Sequence, residues 1–484
     1  MMTLKKNSKI YCYSALWKLC LLPFAYCLLL IASCKVGKEY QRPTLELPKQ
    51  FDNTSFSDTS SIADIEWKNF FTDKTLLELI QKGITYNHDL LIAMKRIGIS
   101  QEQLKRAKLL QFPELNSQIT AQYTYPSKNS LNGISTNSFL GKSHIENYLT
   151  TINLSWEADI WGKLRSQKEA TLAEYVQTYE AGKAVQTQVV ANIAQGYFNL
   201  LMLDRQLEIA KGNLSLSDSF FIATKLLKDA GLATSAAVEQ ASSQKLSIAL
   251  LIPQLEQNIA IQENALQVLT GQLPGSVNRN ALLNEISFTQ DLSAGVPASI
   301  VSRRPDVRSN EMALVAANAQ VGIAQANMYP ALTISAGTGL ETFKASNWFN
   351  IPNSVFGLVA GSVAEPIFKR RELRTQYEIA KLQREQAVIQ FKQSVLQAIG
   401  EVSDALVQVN KLKEQEQIAI SQVDTLHKAV FSTRLLFRSD LANYLEVITA
   451  QENALQAELN LASLRRQQLI SVVELYRALG GGWK

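Results

Sequence analysis

The side chains that most often carry chemistry are scarce in this sequence and poorly spaced for it. Its four cysteines are Cys12, Cys20, Cys27 and Cys34, so no intramolecular disulfide and no thiolate metal site can form beyond residue 34. Zinc fingers and CxxC redox chemistry are excluded by that count. The three histidines, His88, His144 and His427, lie far apart and read as surface residues with no assigned role. No nucleophile motif, phosphate-binding loop or metal cluster is recognisable. No enzyme, cofactor or metal is therefore expected, and the informative residues are those that set charge and apolar pattern. Forty-eight Lys and Arg against 43 Asp and Glu give +5, but Lys5, Lys6, Lys9 and Lys18 fall within the first 33 residues, which contain no acid. The remainder has 44 bases against 43 acids, a net charge of +1, which removes a nucleic-acid footprint. With 484 residues, 46% of them hydrophobic and 19% charged, the chain is long and apolar enough to fold.

Residues 1–33 combine a cationic start, an apolar run of 13 residues from Leu19 to Ile31, and the small residues Ala32 and Ser33. That is the plan of a cleaved export signal, and the run is shorter than the roughly 20 residues a membrane-spanning helix needs. Ile31-Ala32-Ser33-Cys34 resembles the lipobox of bacterial lipoproteins. The resemblance implies that Cys34 becomes the acylated, palmitate-bearing first residue; the alternative is an incidental cysteine behind a signal anchor. Lys35, where an Asp would favour retention in the inner membrane, implies sorting to the outer membrane. No later stretch of 18 apolar residues exists, so any membrane crossing falls to strands.

The elements that must do this work come in two copies. Each half opens with a short amphipathic helix ending in an aromatic-Pro pair, Ala107 to Phe112-Pro113 and Ala324 to Tyr329-Pro330, at an offset of 217 residues. From Arg165 and Arg374 onward the offset is 209, and it still aligns Leu232 with Leu441, Ala241 with Ala450 and Gly271 with Gly480. A duplicated domain accounts for both offsets. Between them lie stretches of period two, the signature of strands. Ile119, Ala121, Tyr123 and Tyr125 alternate with polar residues, as do Ile152, Leu154, Trp156 and Ala158. The second half offers Leu332, Ile334 and Ala336, then Val355 to Val363, where Gly and Ala obscure the apolar face. One hairpin per half follows, closed by a polar loop such as Ser127 to Lys142.

Everything else reads as helix. Leu164 to Ala230 contains no proline, and about 67 residues at 1.5 Å each would reach roughly 100 Å; the counterpart runs from Leu373 to Ser439. Apolar residues recur at steps of three and four: Val189, Ile193, Leu200, Leu203 and Leu207, then Val395, Ile399, Val402, Leu406 and Val409. The last helix keeps that rhythm from Leu441 and Leu445 through Ile448, Leu455, Leu459, Ala462, Leu469 and Val473 to Tyr476, interrupted by Glu452 and Arg466. Such spacing predicts coiled-coil packing, with Gly231-Leu232 and Asp440-Leu441 as hairpin turns. Pro253 is expected to kink or break its helix. Pro305 and Asp306 suit a helix start, as do Asn87 and Asp89. Trp156 and Trp161 fit an interfacial girdle or plain packing equally well. Four strands cannot close a barrel, and an open sheet in lipid leaves two edges unpaired. Two readings stay open from the pattern alone: a soluble sheet against the helices, or an oligomer of two, three or four chains sharing 8, 12 or 16 strands.

Several motifs carry a resemblance across nearly the whole mature chain. They are Val36-Gly37-Lys38-Glu39-Tyr40-Gln41-Arg42-Pro43, Trp67 to Phe70-Phe71-Thr72-Asp73, Asn87-His88-Asp89-Leu90, Trp156 to Arg165, Arg303-Arg304-Pro305-Asp306-Val307-Arg308, and Ala317-Asn318-Ala319-Gln320-Val321-Gly322-Ile323-Ala324. The chain resembles the outer membrane factors of tripartite efflux systems, the TolC-like channels, and more closely their NodT or OprM-like lipoprotein branch serving RND pumps. The resemblance implies a mainly α fold with a small β part and two internal repeats. Long coiled-coil helices would form an α-barrel, and four strands per chain would share a 12-stranded transmembrane β-barrel in a homotrimer. The implied divisions are a signal at 1–33, an acylated extended segment at 34–66, a first repeat at 67–302 (strands about 115–159, helices about 164–271) and a second at 303–484 (strands about 331–364, helices about 371–479).

Function follows from the same resemblance. It implies a passive exit duct in the outer membrane of a Gram-negative bacterium, fed by an inner-membrane RND transporter through a periplasmic membrane-fusion adaptor and anchored in outer-membrane lipid. The alternatives are a protein-secretion duct for an ABC exporter and a non-conducting periplasmic coiled-coil lipoprotein. Gly231, Leu232, Asp440 and Leu441 take the places of adaptor-contacting tips, although Asp440 stands where glycine is usual. Glu446 and Thr449 take the places of the acidic rings at the closed periplasmic end, with Leu445 as an apolar constriction and Glu239 as a weaker candidate. Thr449 replaces the usual aspartate, so one ring has lost its carboxylate.

Overall fold

The computed structural model describes residues 35–45, 61–288 and 297–484; the expected export signal and Cys34 lie outside the described residues. In order the elements are α1 (Trp67–Phe70), α2 (Lys74–Tyr86), α3 (His88–Leu109), β1 (Glu114–Thr124), α4 (Leu131–Leu140), β2 (Ile145–Ala158), α5 (Lys163–Asp229), α6 (Ser235–Leu269), α7 (Pro297–Arg303), α8 (Pro305–Ala326), β3 (Ala331–Thr342), β4 (Val355–Ala364), α9 (Glu372–Arg438) and α10 (Tyr444–Ala478). The repeat is reproduced in the helices, while the strand regions of the two halves differ in length. The helices α5 and α9 both have 67 residues, and α6 and α10 both have 35, at the 209-residue offset. The helices α3 and α8 both have 22, at the 217-residue offset, and are longer than the short pre-strand helices expected. Two compact units form, and α3, α5, α8 and α9 each give residues to both.

The unit containing Ser100–Tyr175 and Met312–Val388 holds one antiparallel sheet in the order β1-β2-β3-β4. Its strands are 10 to 14 residues long, about the length that crosses a bilayer. Register decides what the alternation left unresolved, because directly opposed residues share a face. Ile119 opposes Thr150, Leu154 opposes Ala336, and Ala336 opposes Val359. One face therefore carries Ile119, Ala121 and Tyr123, then Ile152, Leu154 and Trp156, then Leu332, Ile334 and Ala336, then Val355, Val359 and Val363. The other carries Gln118, Thr120 and Gln122, Thr151 and Asn153, Thr333 and Ser335; on β4 it holds Phe356 and Leu358, so that strand is apolar on both sides. No described strand pairs with the outer edges of β1 and β4. Trp161 proves to be a packing residue, its indole donating to the Pro330 carbonyl at 2.7 Å and stacking on Tyr329 at 4.8 Å. The indole of Trp156 donates to the Gln111 carbonyl at 3.0 Å.

The second unit, containing Val176–Glu311 and Ile389–Lys484, is a helical bundle. Val189, Ile193, Leu200, Val395, Val402, Ile448, Leu455, Leu469 and Val473 are all buried, so the three-four rhythm does mark the packed seam. That seam starts later in α10 than expected, since Leu441 and Leu445 are 74% and 52% exposed: the first sits in the turn and the second in the opening helical turn. The aromatic motif near residue 70 closes the core, Phe70 stacking on Tyr476 at 4.0 Å. Asn87 caps α3, accepting from the Leu90 amide at 3.0 Å and donating to the Leu269 carbonyl at 2.9 Å.

Two expectations need correction. The loop Ser127 to Lys142 contains a helix, α4, because its uncharged residues after the Ser127–Ser130 turn are free to close i,i+4 bonds; the Ile134 amide donates to the Ser130 carbonyl at 3.0 Å. Of the two outcomes expected at Pro253, the break does not occur, since α6 runs unbroken from Ser235 to Leu269. Pro253 is exposed, and water can satisfy the Ala249 carbonyl that loses its helical donor.

Candidate functional site at the helix hairpin tips

Each helix pair turns in the same way. The α5 end is closed by Leu232 N donating to Leu227 O and Gly231 N to Lys228 O, both at 2.8 Å; the α9 end by Leu441 N to Leu436 O at 2.9 Å and Asp440 N to Phe437 O at 3.2 Å. These are Schellman closures with one residue in the left-handed region, Gly231 at φ 78° and Asp440 at φ 61°. Asp440 thus adopts the conformation glycine would, at a steric cost glycine avoids. The next helices start on matched caps. The Thr234 hydroxyl accepts from the Ala237 amide at 3.2 Å, and the Asn443 side chain accepts from Leu445 and Glu446 amides at 2.9 and 3.0 Å.

Under the tips, Phe220, Ala241, Val447 and Ile448 form a buried cluster joined by Phe221, Phe437 and Tyr444. It ties the tips to one another, with the Phe220 and Phe437 rings 5.4 Å apart. A groove of about 670 Å³ opens beside it, lined by Leu232, Thr234, Asp440, Leu441, Asn443 and Glu446 among others. Leu232 and Leu441 are 77% and 74% exposed, so both tips present an apolar side chain to solvent. Three of the tip residues named from the sequence, together with Glu446, therefore meet around one cavity. Glu239, Leu445 and Thr449 are exposed on the adjoining turns of α6 and α10.

Two contributors escape a reading by pattern. Asn443 is an N-cap residue, and its signal in the sequence is an Asn just before an apolar-periodic stretch. Gln451 lies in the seam one turn beyond Glu446, 4% exposed, with neither amide atom hydrogen-bonded in the structure. A polar residue at an apolar heptad position is its only mark in the sequence. Among the described residues no group of three or more His, Cys, Asp or Glu is arranged to hold a metal ion, and no helix is long and apolar enough to cross a membrane.

A sheet of membrane-crossing length with one mainly apolar face, in a chain with paired 67- and 35-residue helices, is the protomer plan of outer-membrane channels. The solved structure of CusC, described in terms of folding and transmembrane channel formation, matches with a TM-score of 0.82 and 27% identity over 93% of this chain and all of that one. The outer-membrane channel OprN matches with a TM-score of 0.85 and 25% identity over 93% and 100%. The sequence pattern of the outer membrane efflux protein family covers residues 79–272 and 296–481, and the chain belongs to that family. Among similar proteins are the cation efflux system protein CusC of Escherichia coli, 29% identical over 96% of this chain and 99% of the relative, and the probable outer membrane lipoprotein SilC of Salmonella typhimurium, 27% identical over 97% and 100%. The solvent efflux pump outer membrane protein SrpC of Pseudomonas putida is 28% identical over 95% and 97%. The chain is accordingly an outer-membrane efflux protein, and its relatives are channels rather than enzymes.

Proposed function

We propose that three copies of this chain form the passive exit duct of a tripartite efflux pump, with small molecules supplied by an inner-membrane RND-type transporter through a periplasmic adaptor. The observation that carries the reading is the sheet: one mainly apolar face, on which Glu146, Thr150 and Thr338 are among the exceptions, and two edges that no described strand pairs. In lipid those edges must be paired, and three copies give 12 strands around an open lumen. The tips at Gly231-Leu232 and Asp440-Leu441 are the adaptor contacts, and acylated Cys34 is the membrane anchor. Glu446, repeated three times around the axis, places like charges at the mouth, favours cations and acts as an electrostatic gate; Leu445 narrows the opening, while Thr449 and Glu239 are secondary. Cargo choice belongs to the pump, since relatives named for cation and for solvent efflux are 29% and 28% identical to this one chain.

Mass in detergent together with single-channel conductance in planar bilayers, for wild type and Glu446→Ala, tests the reading. The expected result is a trimer with small cation-selective conductance that rises and loses selectivity in the variant. Equal conductance in both forms would remove the gate and leave the duct, whereas a non-conducting monomer would refute the duct itself.

A further inference from the structure

The loop end of the sheet carries two apolar segments that the chain leaves bare. In α4, Leu131, Ile134 and Phe139 are 82%, 58% and 89% exposed. In the β3–β4 connection, Phe349 and Ile351 are 72% and 68% exposed. Neither Asn129 to Gly141 nor Ala345 to Ser354 contains one Asp, Glu, Lys, Arg or His. Clustered exposure of this kind marks a missing partner, and the uncharged run of each segment suits an apolar protein surface, the cations Lys128, Lys142 and Lys344 lying just outside these runs.

Topology says where the partner comes from. The helix α4 closes the hairpin of edge strand β1, and residues 345–354 close the hairpin of the opposite edge strand β4. Within the chain the second loop already leans on the first hairpin through Trp348, whose ring lies 5.1 Å from that of Tyr148. Even so, Leu131, Ile134 and Phe139 of α4 stay uncovered. If the duct reading above holds, ring closure sets β1 of one copy antiparallel beside β4 of the next. Thr124 and Val355, the loop-side ends of those strands, then become neighbours. We infer that α4 of one copy seats against residues 345–354 of the adjacent copy, an apolar clasp at the loop end of every subunit seam. Its occupant is a second copy of this chain, and it joins the two bare surfaces to each other.

The test is disulfide trapping in membranes with the double variant Phe139→Cys/Phe349→Cys, the native mass being measured on the same preparations. On mild oxidation the double variant is expected to run as a covalent trimer on a non-reducing denaturing gel, and each single variant as a monomer. A trimer by mass that does not cross-link overturns the clasp and leaves the duct standing. So does a covalent dimer from Phe139→Cys alone, which would put α4 on the symmetry axis. A monomer by mass refutes the duct and the clasp together.

Discussion

Replacing Arg304 with methionine is expected to lower the apparent melting temperature of the detergent-solubilised protein by about 3 °C at neutral pH, and by less in acid. The guanidinium is 5% exposed. It donates to both oxygens of Asp306 at 3.0 and 2.6 Å, to Glu401 at 2.9 Å and to the Ala478 carbonyl at 3.1 Å. One planar group thus holds the first turn of α8, the middle of α9 and the last turn of α10. Breaking a buried pair costs about 3–5 kcal/mol. Here Asp306 and Glu401 are 43% and 41% exposed, so water recovers part of the loss and about 3 kcal/mol is the better figure. Over 484 residues the unfolding entropy is about 1 kcal/mol per kelvin, which converts that loss to about 3 °C. The pH dependence follows from Asp306. Burial pushes its carboxyl up, but the hydrogen bonds and charge of Arg304 outweigh burial and hold its pKa below the ordinary carboxylate value. A lowered pKa stabilises the fold above the unfolded value, about 4, and that stabilisation disappears as the pH falls through the lowered folded value. The gap between wild type and Arg304→Met is therefore full at pH 7 and narrows below about pH 4. Arg304→Lys, which keeps the charge but not the fork of donors, lies between them. Thermal scans at neutral and acid pH read all three; an equal gap at both, or a gap below about 1 °C, refutes the reasoning.

At the second tip, Asp440→Gly is expected to leave the turn intact and Asp440→Val to strain it by about 1–2 kcal/mol, because φ is positive there. Hydrogen exchange of the segment around Leu441 reads this as roughly a tenfold faster opening in the valine variant only; equal exchange in both variants would contradict the cap assignment. Tyr476→Phe is expected to cost about 1 kcal/mol, since its hydroxyl donates to the Ile65 carbonyl at 2.7 Å. Burial also pushes the Tyr476 hydroxyl above its usual pKa, so its stabilising contribution is full below about pH 10 and is lost as pH rises further. Urea midpoints at pH 8 and pH 11 should show a shallower alkaline loss in Tyr476→Phe, and an unchanged loss would sink that explanation.

Much of this protein was decided by local pattern, which a single sequence carries in full. Period two placed β1 and β2, and the three-four rhythm placed the packed faces of α5, α9 and most of α10. Turn chemistry put the reversals at Gly231 and Asp440, and the constant offset announced two matching pairs of helices. Each of these depends on residues within a few positions of one another, or on the chain repeating itself. The Arg304-Pro305-Asp306 stretch was legible as a helix start, but not as the clamp it forms with Glu401 and Ala478, 97 and 174 residues away. Likewise Val355 to Val363 did not disclose its face until Ala336 was seen opposite Val359, because strand register is a relation between distant segments and alternation inside one strand does not encode it. The uninterrupted course of α6 through Pro253 depends on exposure, which packing sets. The meeting of Leu232, Asp440, Leu441 and Glu446 around one groove needed two hairpins 209 residues apart to fold side by side. Periodicity and turn type are properties of neighbours along the chain, whereas register, ion-pair partners and cavities arise when distant segments pack, and only the tertiary structure decided those.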